Sequence, residues 1–132
     1  MSLPNPIPAV QGARAVLGPA LWMDTFLIVP GTSDYVTNGY VIKSSALRLN
    51  PTYGIQAAWV SGQNSTAAGY VPQVTLALAQ LGATSTGAGF EGYSQLNFQV
   101  FVTGTASGDV LNEAANGANL TGCVWLLTVI GQ

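Results

Sequence analysis

From Gln95 to Thr103 the chain alternates residue by residue, with Leu96, Phe98, Val100 and Val102 standing between Gln95, Asn97, Gln99 and Thr103. Period-two alternation sends successive side chains to opposite faces of a strand and matches no single stripe of a helix. One face is expected in a core, and the other, polar but uncharged, toward water or a partner. Phe101 is the aromatic on that polar face and is a candidate contact residue. A second alternation runs Val74-Thr75-Leu76-Ala77-Leu78-Ala79, and Pro72 just before it marks an edge or a strand start. The segments Trp22 to Val29, Tyr40 to Leu49, Tyr53 to Ser61 and Leu120 to Ile130 carry the same strand vocabulary.

Sixteen glycines and seven prolines interrupt the chain. They cluster with Ser, Thr, Asn and Asp at Pro30 to Asp34, Thr37 to Gly39, Asn50-Pro51, Ser61 to Gly69, Gly82 to Gly92, Gly104 to Asp109 and Asn116 to Asn119. Such residues supply positive φ, fixed φ or local side-chain bonds, and so close strands. Asn38-Gly39 is expected to form a type I′ hairpin turn. The one helical candidate, Gly12 to Met23, is broken by Gly18-Pro19 and is expected to give at most one turn. The expected fold is all-β: a single antiparallel β-sandwich, jelly-roll-like, of about seven or eight strands, with an immunoglobulin-like sandwich fitting nearly as well. Four prolines by position 19 mark residues 1–20 as an extended Pro-rich N-terminal arm, lying on its own domain or on a neighbouring subunit, ahead of a sandwich domain over 21–132.

Three basic and five acidic residues make up 6% of the chain, and histidine is absent; an ordinary soluble domain is about 25% charged. Without histidine there is no Ser/His/Asp or Cys/His constellation, and one cysteine cannot complete a zinc site. The five acids stand singly, four in or beside turns, where a solvated loop role is expected rather than paired-carboxylate hydrolysis. No catalytic, cofactor-binding or metal-ligating set is therefore expected, and the chain is read as non-enzymatic. Three dispersed cations in a net charge of −2 make no phosphate-binding stripe, so nucleic acid is not an expected partner. Hydrophobic residues reach 48%, yet the longest apolar runs, Phe26 to Val29 and Val124 to Leu127, are far below the ~20 residues of a membrane helix. The opening Met1 to Pro8 has no basic n-region and is not expected to act as a signal peptide.

Cys123 lies in an apolar stretch and is expected to be a small buried hydrophobe. The glycine-rich run Gly82 to Gly89 lacks the Lys-Ser/Thr end of a phosphate loop and is read as a sandwich loop. Asn64-Ser65-Thr66 and Asn119-Leu120-Thr121 match the glycosylation triplet without any accompanying sign of secretion. Trp22, Trp59 and Trp125 sit in apolar segments and are expected in the core. Tyrosines at strand ends combine an apolar ring with a polar tip, which suits subunit interfaces. The candidate partner contacts are Leu3, Pro4, Pro6, Ile7, Pro8, Tyr35, Tyr70, Tyr93 and Phe101.

In its size, its arm-plus-sandwich layout and its Gly/Ala/Ser/Thr-rich, Lys-poor composition, the whole chain resembles the small decoration, or cement, proteins of tailed-phage capsids. That resemblance implies a homo-oligomeric protein of the virion's capsid surface, assembled in the host cytoplasm, that bridges neighbouring subunits of the major capsid protein. The competing expectation is a receptor- or carbohydrate-binding β module using exposed Tyr or Trp.

Overall fold

The computed structural model describes residues 7–8, 14–18, 21–49, 54–76, 93–103 and 111–132. These form an all-β sandwich of two antiparallel sheets. Among the described residues there are nine strands and two short 3-10 turns, with no α-helix. In chain order they are β1 (Ile7–Pro8), β2 (Ala15–Gly18), β3 (Leu21–Ile28), β4 (Tyr40–Lys43), β5 (Ile55–Gln63), β6 (Tyr70–Leu76), β7 (Gln95–Val102), β8 (Asn112–Glu113) and β9 (Trp125–Gly131).

Sheet A runs β1-β3-β9-β5, with β2 beside β1 along the same edge of β3; sheet B runs β4-β7-β6, with β8 sharing the β4 edge of β7. The first long strand, β3, thus pairs with the last, β9, and β4 pairs with β7. In an immunoglobulin sandwich the last strand lies at a sheet edge, whereas β9 lies between β3 and β5.

The core fills the space between the sheets. Alternation delivers Phe26 and Ile28 from β3, Trp125, Leu127 and Val129 from β9, and Leu96, Phe98 and Val100 from β7, all buried. Trp125 packs on Phe98 with ring centroids 5.5 Å apart, and Tyr35 meets Tyr40 edge-on at 5.4 Å. The Trp125 indole N–H has no hydrogen-bond partner among the described residues. Such an orphaned buried donor costs about 1–3 kcal/mol, which the surrounding apolar packing must offset.

Of the two expected placements of segment 1–20, its described part takes the first: Ile7 and Pro8 pair with Leu27 and Phe26, and β2 pairs with Leu21 to Met23, so both strands extend the chain's own sheet. Other expectations are corrected. The helical candidate Gly12 to Met23 gives strands over its described length, because Gly18-Pro19 interrupts the helical spacing. Asn38-Gly39 is not a type I′ turn. Gly39 N–H bonds Val36 O at 2.8 Å, making Thr37 and Asn38 the central pair, and Asn38 alone of these carries positive φ, the type II pattern. Pro72 falls on an edge strand, β6, as one of its two expected placements had it, though two residues inside the strand, whereas β4 stops at Lys43, where a 3-10 turn over Ser44–Leu47 takes over.

The acids depart furthest from expectation. Asp24 is 4% and Asp34 3% exposed, against the solvated positions expected of them. Asp24 binds both Arg14 and Arg48. Asp34 accepts Tyr40 Oη–H at 2.7 Å and Gly31 N–H at 2.9 Å. Glu113 accepts Tyr35 Oη–H at 2.9 Å and Asn38 N–H. Buried charges persist only when paired or hydrogen-bonded, and each of these is. Glu91 and Asp109 lie outside the described residues.

Candidate interaction face

The inward set of β7 fixes its outward set. With Leu96, Phe98 and Val100 in the core, Gln95, Asn97, Gln99 and Phe101 face away from it. Register aligns them with their neighbours: Gln73 opposite Gln99, Thr75 and Val41 flanking Asn97, and Lys43 opposite Gln95. The outer face of sheet B is therefore largely a ladder of amides and hydroxyls, with Val41 among them, Lys43 at one end and Glu113 opposite Phe101 at the other. An amide ladder can exchange hydrogen bonds with a partner without the desolvation cost of buried ions.

At the far end of the ladder the chemistry turns apolar. Val71 stands opposite Phe101, and with Pro72, Gln73 and Leu111 they line an open groove of about 350 Å³. Val71 and Leu111 are 37% and 49% exposed. The groove lining has no titratable side chain; it can bury apolar area and accept or donate through Gln73. Exposed apolar clusters of this kind mark contact surfaces.

Three of the described edge strands are blunted against pairing with another chain. β2 is four residues long with a register shift, β5 carries two such shifts, and β6 has Pro72 at its third position. Short strands, bulges and proline all blunt an edge, which favours the faces as contact surfaces.

The candidate contacts scatter accordingly. Leu3, Pro4 and Pro6 lie outside the described residues, and Ile7 and Pro8 form β1 within sheet A. Tyr35 is fully buried and Tyr93 nearly so, which corrects the expectation that they face a partner. Tyr35 is held inward because its hydroxyl both donates to Glu113 and accepts Val100 N–H at 3.0 Å. Burial, with Glu113 adding to it, pushes the Tyr35 hydroxyl up to about 12, and burial, reinforced by Asp34, pushes Tyr40 up as well. Tyr70 is half-buried at the start of β6, opposite Val102 and packed against the core, whereas Phe101 lines the groove on the outer face of the sheet.

Cys123 is buried, as expected, and burial pushes its thiol up. Trp125 is in the core, but Trp22 is half-buried under Arg14 and Trp59 is 42% exposed on β5. The outward turn of Trp59 was readable from its neighbours, since Ala58 and Val60 take the inward register of Val129 and Leu127. The same parity rule applied to Val71-Gln73-Thr75 would have found the groove's β6 wall; Leu111, next to β8, gave no sequence signal.

Comparison with known proteins found no matching family model, no matching curated protein and no matching solved structure.

Proposed function

We propose that this protein is a non-enzymatic structural subunit that decorates and cements a capsid of tailed-phage type, bridging neighbouring subunits of the shell. The observation that carries the reading is the outer face of sheet B, a nearly uncharged amide ladder ending in the Val71–Phe101–Leu111 groove. Its mechanism is contact area. Each copy adds buried apolar surface, worth about 25 cal/mol per Å², and neutral hydrogen bonds across a seam between shell subunits. The chain's few charges support this reading by their engagement: Asp24, Asp34 and Glu113 are each ion-paired or hydrogen-bonded within the fold.

The test is co-sedimentation with empty shells assembled from a tailed-phage major capsid protein. Binding is expected to persist at about 1 M salt, where the Debye length is only ~3 Å, and to be lost in Phe101→Ser. Release by moderate salt, or binding indifferent to Phe101, would overturn it. A second reading, a receptor- or carbohydrate-binding module, is favoured by one observation, the exposed Trp59 ring on β5; glycan binding abolished by Trp59→Ala would establish it instead.

A further inference from the structure

Glu113 belongs to the outer face of sheet B by position and to the sandwich edge by its bonds. On β8 it stands directly opposite Phe101, and the same register sets Leu111 diagonal to that ring, two residues along the same face. Leu111 and Phe101 are both walls of the groove. The Glu113 carboxylate, however, turns to residues outside the groove lining: its Oε1 accepts Tyr35 Oη–H at 2.9 Å and Asn38 N–H at 2.6 Å. The Tyr35 hydroxyl in turn accepts Val100 N–H at 3.0 Å, while Val100 O accepts Ala114 N–H at 2.8 Å. β4 pairs with β7 as far as Phe98 and β8 takes over at Phe101, so Tyr35 fills the stretch of edge between them. β8 itself is two residues long. Two ladder pairs are a small hold for the strand next to a groove wall.

We propose that Glu113 is a positioning residue of the groove, a latch that holds Leu111 against Phe101 by fastening β8 to the segment from Tyr35 to Asn38. The proposal rests on the reading of the groove as a contact site and names the residue that keeps that site in shape. A carboxylate oxygen accepting two donors makes charge-assisted bonds, about twice as strong as neutral ones. Both donors lie on the segment entering β4, 75 and 78 positions away, and so tie β8 to an element that its ladder with β7 does not reach. Truncating the side chain leaves the buried Tyr35 hydroxyl with only Val100 O at 3.4 Å to receive its proton, and leaves Asn38 N–H without its acceptor. The fold relieves that loss by letting β8 shift. The shift opens the groove on its Leu111 side, while Val71 and Phe101 stay in place on the long β6–β7 ladder.

The test is nuclear magnetic resonance of the full-length free protein, so it is independent of any shell. In the parent, Overhauser contacts are expected between the Leu111 methyls and the Phe101 ring. Glu113→Ala is expected to abolish them while the Phe98–Trp125 contacts of the core persist. Glu113→Gln, which keeps an acceptor oxygen, is expected to restore them. Leu111 still on Phe101 in Glu113→Ala, or Glu113→Gln no better than the alanine variant, would overturn the proposal. A second readout needs no variant to fold. In the unmodified protein the Asn38 and Ala114 amides, which sit on the two elements the latch joins, are expected to open together in native-state hydrogen exchange, with opening constants agreeing within about fivefold; a wider gap would mean that β8 and the β4 approach move independently, and the latch fails. Co-sedimentation with shells separates this proposal from the capsid reading. Shell affinity is expected to fall about fivefold in Glu113→Ala, the scale of coupling between residues of one network, and to return in Glu113→Gln. A latch that responds in solution without any shell binding counts only against the capsid reading. Shell binding with Leu111 indifferent to Glu113 counts only against the latch.

Discussion

Arg14 Nε and Asp24 Oδ2 meet at 2.7 Å, joining the residue that leads into β2 to the strand on which β2 lies. Arg14 also donates from Nη2 to Arg48 O at 2.9 Å and stacks on Trp22 at 4.9 Å. Arg48 approaches the same carboxylate oxygen at 3.2 Å. One buried carboxylate therefore ties β2, β3 and the turn after β4 together. Asp24→Asn is expected to destabilise the fold by about 2 kcal/mol, because the two guanidinium groups lose their counter-charge; for a domain of this size that is a fall in Tm of roughly 6–10 °C. Hydrogen exchange should show β2 amides opening first, and unchanged exchange there would mean that β2 is held by its ladder bonds alone.

Alkali should unfold the protein through its buried tyrosines. Tyr35 ionises at about 12 in the fold, against an ordinary value near 10. Its neutral form is thus the one the fold stabilises. That contribution is complete below pH 10 and disappears as pH rises from about 10 toward 12. Absorbance titration of the five tyrosines should leave Tyr35 and Tyr40 un-ionised until unfolding begins. Tyr40→Phe should remove one late-titrating group, and an unchanged profile would contradict the assignment.

Asn64 holds three elements with one side chain. Its Oδ1 accepts Ala67 N–H at 3.2 Å and Val124 N–H at 3.1 Å, while Nδ2 donates to Gly122 O at 2.7 Å. Loss of a helix cap alone costs about 1 kcal/mol, so Asn64→Ala, which also frees Val124 and Gly122, is expected to cost about 2–3 kcal/mol in chemical denaturation. Asn64→Asp keeps the acceptors and should cost less. The engaged Nδ2 also makes the Asn64 triplet a poor glycan acceptor; expression in a glycosylating host should leave Asn64 unmodified.

Gly39 has no room for a side chain. At φ +92°, a Cβ would lie 2.5 Å from Phe98 O and 2.8 Å from Gln99 Cγ. Because the nearest obstacle is backbone of the central strand of sheet B, Gly39→Ala is expected to destabilise by about 2 kcal/mol or more, with thermal melting as the measure. Gly69→Ala, with open space around it, is the control and should shift Tm little.

The amino-acid order by itself determined where strands lie and which of their faces point inward. β7 matches its alternation almost end to end, and β3, β5 and β9 fall within or close to their apolar segments, because period-two patterning is local and needs no partner to be read. It also determined that the protein's outward surface would be poor in charge. What only the tertiary structure decided was the company each polar group keeps. Asp24 and Asp34 sit near turns or within a strand that reads equally well as exposed; what buries them is Arg48, distant by 24 positions in one case, and a Tyr40 ring folded over from the next strand in the other. Tyr35 was drawn inward by Glu113, 78 residues away. The groove likewise joins Val71 to Leu111 across β7. Such contacts depend on register and on which sheet a strand joins, and those are settled by closing the whole sandwich around Trp125 and Phe98, at separations no local pattern encodes.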